Sequence, residues 1–352
     1  MALTYSRFPY RLFLAGFLLS IPGIFHCSGQ SGRYWTNAIN EESSMLAGAV
    51  VGGGAGNSAI YFNPANIARA ANSQFSLNTD LVNWDIYTIT NALGEGLSLK
   101  KSTITFQPRF VSYLFTSKRA DALKFQIAAL SKEDYKLQLA EKSDQVFDIL
   151  RSVPGEERYY GSFMINREYT DYWVGAGMSY GLMRGFSLGI SMFGSAKSLR
   201  TQFLIDNTAH PLSDTVFGGP QPIPFYSATY YYYENIRFNN YQLIWKIGLG
   251  YKTDKIGLGI NFTSPTVLLW ADGKTFIRAM RQQNIMDPEE TGFLPNKDIS
   301  DSQYRSNVDA NYKEPWSLAI GFTYRSVNDK HSFFSTMEYF HKIKTYNVLE
   351  AE

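Results

Sequence analysis

LIWKIGLGYKTDKIGLGINFT, residues 243–263, is two strands and a turn written with a period of two. Leu243, Trp245, Ile247, Leu249 and Tyr251 alternate with Ile244, Lys246, Gly248, Gly250 and Lys252. Beyond the turn at Lys252–Lys255, Ile256, Leu258, Ile260 and Phe262 alternate with Gly257, Gly259, Asn261 and Thr263. Successive side chains of a strand point to opposite faces, so this spacing predicts strands with one apolar face and one face of glycine and polar residues. The pattern returns in Tyr172–Tyr180, in Phe186–Met192 and in Trp316–Arg325, where the second face is again Gly, Ser, Ala and Thr, with Trp173 and Arg325 added.

Two architectures fit such strands. A soluble sandwich would bury the apolar face; a membrane barrel would turn it to lipid. Several apolar faces end in aromatics at both limits: Tyr172 and Tyr180, Trp245 and Tyr251, Trp316 and Tyr324. That is the distribution of interfacial aromatic girdles. Each alternating band covers about nine residues, close to the 9–11 of a tilted membrane strand. Composition agrees, with 25 Phe, 24 Tyr and 6 Trp making 16% of the chain, beside 28 Gly. In lipid, strands must close on themselves to satisfy their backbones. The sequence therefore predicts an all-β fold, a transmembrane antiparallel β-barrel.

The joins between strands are tight at Ser117–Asp121, Gly181–Gly185, Lys252–Lys255 and Arg325–His331. They are long and polar at Glu141–Glu157, Asp206–Pro224 and Ala271–Asp301. Tight and long joins alternate, as in outer-membrane barrels with short inner turns and long outer loops. Rising strands are expected at Phe75–Thr90, Leu123–Ala140, Phe186–Leu204, Ile256–Trp270 and Phe333–Val348. Falling strands are expected at Thr103–Phe115, Tyr159–Tyr180, Phe225–Tyr251 and Gln303–Tyr324. The last three exceed a bilayer, so their upper halves, with Tyr230–Tyr233, are expected to stand above it.

Ahead of the strands lies SSMLAGAVVGGGAGNSAIYFNPANIARA, residues 43–70, rich in Gly and Ala and without an acidic residue. Small residues allow close backbone approach. Pro64 pushes Asn63 out of the α region and starts a helical turn itself. A nucleotide loop is a poor match, because no clear βαβ frame follows Gly52 and Gly54 and Asn57 stands at the place of the last Gly. Met45, Gly48, Ala49, Gly56, Ser58, Ala59 and Asn63-Pro64-Ala65 resemble the hatch signature of the outer-membrane long-chain fatty acid transporter family, the FadL/TodX group; Asn57 stands where that family often has Asp. The resemblance extends through Gly248–Lys274 with its Ser264-Pro265 pair. It implies a plug of residues 30–72 inside a barrel formed by residues 73–352. It also implies passive uptake of fatty acids or similar hydrophobic compounds, with lateral exit into the outer membrane. The residues it marks for the hatch or gate are Gly48, Ser58, Asn63, Pro64 and Ala65, with Asn63 pinning the hatch to the wall. Ligand-binding residues are not marked. The family barrel has fourteen strands against nine here, so the resemblance implies that about five C-terminal strands are lacking.

Residues 1–29 are expected to be a secretory signal: Arg7 and Arg11 precede the apolar run Leu12–Ile24, and Cys27-Ser28-Gly29 offers a cleavage site. Cys27 is the chain's only cysteine, which excludes disulfides and thiolate metal sites from the mature chain. The 33 Lys and Arg against 31 Asp and Glu give a formal charge of +2, without the basic footprint of a nucleic-acid binder. Catalysis has little to build on. His210 falls in a long join, His331 and His341 flank the last strand, and a neighbouring His331-Ser332 is not a nucleophile–base pair by adjacency. Lys132-Glu133-Asp134 and Asp287-Pro288-Glu289-Glu290 read as solvated loops without the ligand spacing of a calcium loop. The expectation is a monomeric, cofactor-free and metal-free channel whose partners are hydrophobic small molecules and outer-membrane lipid, not an enzyme. A barrel serving as a surface adhesin or structural protein is the alternative.

Overall fold

The computed structural model describes residues 39–70, 73–92, 98–116, 122–149, 155–182, 185–212, 227–283, 286–287, 292–293, 299–326 and 330–350. The expected signal, residues 1–29, lies outside them. The first part, residues 39–70, is made of short helical turns: Glu41–Met45, Gly56–Ser58, Ala59–Phe62 and Pro64–Arg69. The remainder is β-structure. Its strands are β1 (Gln74–Ile89), β2 (Leu99–Thr116), β3 (Leu123–Phe147), β4 (Glu157–Gly181), β5 (Phe186–Pro211), β6 (Ala228–Lys252), β7 (Ile256–Thr263) and β8 (Val267–Gln283). A small pair, β9 (Met286–Asp287) and β10 (Gly292–Phe293), precedes β11 (Ile299–Ala310), β12 (Ser317–Arg325), β13 (Ser332–Phe340) and β14 (Leu349–Glu350).

Among the described residues, twelve strands form one antiparallel sheet in the order β1-β2-β3-β4-β5-β6-β7-β12-β13, and the sheet is not closed. Three passes are interrupted. β6 pairs with β7 along its lower half and β8 along its upper half, and β11 pairs with β8 and β14. β1 to β7 pair antiparallel in chain order, as the expected up-and-down path requires, and β12 and β13 follow β7. β3 to β5 run longer than their sequence bounds, because β3 continues to Phe147 and β5 to Pro211, while β6 starts later than expected, at Ala228. His210 therefore lies in a strand rather than a loop, and so do Lys132-Glu133-Asp134. Asp287 is in β9, and residues 288–290 lie outside the described residues.

The sheet curves. β3 and β12 stand five places apart in the strand order, which in a flat sheet would separate them by about 24 Å. Yet Lys132 of β3 holds Glu314, three residues before β12, at 2.8 Å. The inner face therefore looks at itself across an interior, and residues 39–70 sit against that face.

The two faces have inverted polarity over the lower half. On β5, Phe186, Leu188, Ile190 and Met192 are 41–54% exposed, while Ser187, Ser191 and Ser195 are buried. Val174, Met178 and Tyr180 on β4, Leu249 on β6, Leu258 and Ile260 on β7, and Ile320 on β12 are exposed in the same way. In each case Gly or Ser is the inward neighbour. The rings of Tyr241 and Trp270 stand 5.4 Å apart at the upper edge of this band, and those of Phe186 and Tyr251 4.6 Å apart at its lower edge.

Candidate functional site

The segment against the inner face is fixed first by its own turns. Asn40 caps the helix Glu41–Met45, accepting from Ser43 N at 3.0 Å, and Ser43 Oγ accepts in return from Asn40 N at 3.1 Å. Past the C-cap Leu46, Ala47 turns left-handed at φ 48° and donates to Ser44 O at 3.1 Å, and Gly48, at φ 80°, donates to Ser43 O at 2.8 Å, the paired closing bonds of a helix end. Ser58 Oγ donates to Ala55 O at 2.7 Å and to Asn40 Oδ1 at 3.1 Å. The first and second turns are thereby joined. Asn63 takes the extended conformation that Pro64 demands and caps the turn Pro64–Arg69 through Ala65 N at 3.1 Å.

The same Asn63 also reaches the wall. Its Nδ2 donates to Val51 O at 3.0 Å and to Leu249 O of β6 at 3.1 Å. Ser179 donates to Ala65 O at 3.0 Å, Ser191 to Ile60 O at 2.9 Å and Gln126 to Asn57 O at 2.6 Å. These bonds come from the inward face of β3, β4 and β5. Val51 N donates to Thr336 of β13 at 3.3 Å. Between the hydrogen bonds the wall is glycine, and there backbone meets backbone. A Cβ on Gly52 would lie 2.8 Å from Gly321 C, and one on Gly248 would lie 2.9 Å from Pro64 Cδ. The glycine face of the opening sequence is thus a seat for the Gly/Ala-rich segment. Ile60, Tyr61, Phe62 and Ile67 fill the remainder against Phe110, Leu114, Trp173, Phe193 and Ile244.

Above this seat lies a group of buried charges. Lys132 Nζ holds both carboxylate oxygens of Glu314 at 2.8 Å, and Lys197 Nζ holds Glu314 Oε1 at 2.7 Å. Lys197 also bonds to Asp171 Oδ2, while Ser195 Oγ and Trp173 Nε1 donate to Asp171 Oδ1 at 2.7 and 2.9 Å. Two cations face two anions, so the group is neutral and hydrogen-bonded, as burial requires. Lys246 lies nearby, donating to Thr263 at 3.2 Å and standing over the Tyr61 ring at 4.3 Å.

All five residues marked in the sequence, Gly48, Ser58, Asn63, Pro64 and Ala65, are buried in the segment or at its contact with the wall. Gly48 and Ser58 serve the segment itself; Asn63, Pro64 and Ala65 meet β4, β5 and β6. The sequence did not disclose the charge group, whose members come from β3, β4, β5 and the stretch before β12. One signal was present: Lys132 and Lys197 lie in runs of period two, where a charged residue belongs to a face. Of the histidines, His341 stacks on Trp316 at 5.0 Å and His210 lies 6.3 Å from the Tyr160 ring.

No protein-family model matches the chain, and no curated protein or solved structure is significantly similar to it.

Proposed function

We propose that this chain forms a β-barrel-type wall in an outer membrane, plugged by residues 39–70, and that it admits long-chain fatty acids or similar hydrophobic compounds by passive diffusion. The observation that carries this reading is the inverted polarity of the lower half. Moving each exposed Leu, Ile, Met or Phe of that band from water into an apolar phase is favourable by about 1.5–3 kcal/mol. A contiguous apolar surface of this extent is foreign to a soluble monomer. Nine residues from Tyr172 to Tyr180 span about 26 Å of strand, which suits the apolar band of a membrane barrel.

The wall takes the place of hydrocarbon contact on the outside, and the plug closes the path inside. Its seat is held by a few hydrogen bonds and by glycine contacts rather than by a continuous ladder, so it can shift without breaking a strand. Above it the interior side chains include Leu137, Leu139, Phe163 and Phe203, an apolar surface for a hydrocarbon chain. A cleft of about 340 Å³ near the strand tips, lined by Ile149, Tyr159, Ala209, Tyr230 and Arg281, offers a first docking place.

The test is uptake of a labelled long-chain fatty acid by cells with and without the protein, and with Asn63→Ala. Protein-dependent uptake that changes in the variant supports the proposal. Equal uptake with and without the protein contradicts it, and surface attachment that depends on the protein would then favour an adhesin.

A further inference from the structure

At one height the wall loses its ladder on three neighbouring passes. β7 stops at Thr263 and β8 begins at Val267; β11 stops at Ala310 and β12 begins at Ser317; β13 stops at Phe340 and β14 begins at Leu349. Pairing is complete at Thr263–Ser317–Phe340 and resumes at Gly273–Val308 and Ala310–Leu349. The piece between, Asn311–Trp316, has no strand partner among the described residues. Beside it, Val267, Leu268, Leu269 and Trp270 are all exposed, four consecutive apolar residues at the start of β8 where its pairing with β6 shifts register.

Asn311–Trp316 is held by side chains and isolated bonds instead. Glu314 N donates to Thr266 Oγ1 at 3.0 Å, Asn311 N to Val348 O at 2.8 Å and His341 N to Trp316 O at 3.0 Å. These tie the piece to its neighbours along the wall. Glu314 carries the ion pairs across the interior, to Lys132 of β3 and Lys197 of β5, with side chains 4% and 0% exposed; Tyr312 beside it accepts from Gln242 of β6 and lies 5.2 Å beneath the Lys197 ammonium. The charged bonds are the strong members of this set. Removing one partner leaves the others buried without compensation.

We infer that Glu314 is a latch, which holds the unpaired piece Asn311–Trp316 across the interior against Lys132 and Lys197 and keeps the break in the wall shut. Its action as a gate rests on the transport reading above; its existence as a latch does not. Asp171 is the fixed member, secured by Ser195 and Trp173, and Glu314 is the movable one, because its backbone is outside the ladder. Asp171, Lys132 and Lys197 are the charges that face it, with Lys246 and Glu338 lower in the same interior.

The test is hydrogen exchange of the full chain in detergent micelles, read on peptides covering Asn311–Trp316 and Ile256–Thr263. Glu314→Gln is the direct variant. Glu314→Gln with Lys132→Met is the second, because it leaves Lys197 and Asp171 as a balanced pair and removes the risk that an uncompensated charge unfolds the chain. In both, exchange at Asn311–Trp316 is expected to rise by about tenfold or more while Ile256–Thr263 keeps its protection. Unchanged exchange at Asn311–Trp316 in the balanced variant overturns the latch, and so does an equal rise at Ile256–Thr263. Flux of a long-chain fatty acid into vesicles separates the two claims. A faster-exchanging segment with unaltered flux through an active channel overturns the gate. A wild-type channel that carries nothing, with the exchange result intact, overturns the transport reading and leaves the latch.

Discussion

Along a single strand the two halves of this molecule obey opposite rules. The outward residues of lower β5 are Phe186, Leu188, Ile190 and Met192, and those of upper β5 are Ser198, Arg200, Gln202 and Asp206, with Leu204 the one apolar member. On β3 and β4 the upper outward positions carry Lys136 paired with Glu168 at 3.0 Å, and Asp144 paired with Arg158 at 2.8 Å. Inward, the lower half mixes Gly, Ser and Asn with the rings and aliphatic chains that pack on residues 60–67, and the upper half carries a cluster of Leu99, Leu137, Leu139 and Phe163. The upper half thus has the oil-inside order of a protein in water. The lower half turns its apolar residues outward and receives residues 39–70 on its inner face. The charge group of Lys132, Asp171, Lys197 and Glu314 lies where the two meet.

The contrast is sharpened most by removing an upper interior ring. Phe163 packs edge-on against Phe203 at 5.6 Å. Phe163→Ala is expected to cost about 3–5 kcal/mol, as in a soluble core, read by urea unfolding in vesicles. A smaller effect follows from a lysine on the outward face: Ile190→Lys is expected to cost about 2–4 kcal/mol. Gln202→Lys, outward on the upper half of the same strand, is expected to stay within about 0.5 kcal/mol. Equal costs at the two positions would erase the distinction between the halves. Next comes the seat of the plug. Gly321→Val drives a side chain into Val51 and Gly52 and is expected to cost about 1–3 kcal/mol by overpacking. Gly194→Val is the control, since a Cβ there finds nothing nearer than Val174 O at 3.8 Å.

The smallest expected effect lies at the exposed strand tips. Arg158, hydrogen-bonded to Asp144 through two guanidinium nitrogens, holds the Asp144 carboxyl below its ordinary value. A carboxyl with a depressed folded value contributes stability above its unfolded value and loses it as the pH falls through the folded one. Exchange protection at the tips of β3 and β4 is therefore expected to exceed that of Arg158→Gln slightly at neutral pH. The two proteins should converge in acid, below the ordinary carboxylate range. A difference that persists there would assign the tips' order to something other than this pair.

Much of this arrangement is legible in the sequence. Runs such as Phe186–Met192 and Leu243–Phe262 fix strand type, face and extent, because both faces are chemically uniform over the lower half. The upper halves are less readable. From Glu141 onward β3 reads Glu, Lys, Ser, Asp and Gln on both faces, so its polarity resembles a loop, although pairing with β4 carries it to Phe147. Lys132-Glu133-Asp134 resembles a loop for the same reason, compounded by the register shift between Ser131 and Glu133 that changes the inward-facing parity. Asn63 could be singled out by its place before Pro64. The partnership of Glu314 with Lys132 and Lys197 could not, since it spans 182 and 117 residues of chain and depends on the curvature of the sheet.

The measurement that bears most directly on the lower half is a cysteine scan of β5 from Phe186 to His210, with Cys27 replaced by Ser. Each single cysteine carries a fluorophore, and the chain is folded into vesicles containing a quencher on the lipid tails. Strong quenching is predicted at 186, 188, 190 and 192, weak quenching at 187, 189 and 191, and none at 200, 202 and 206. Quenching without this alternation, or a chain that stays monomeric in buffer without detergent, would contradict a lipid-facing wall.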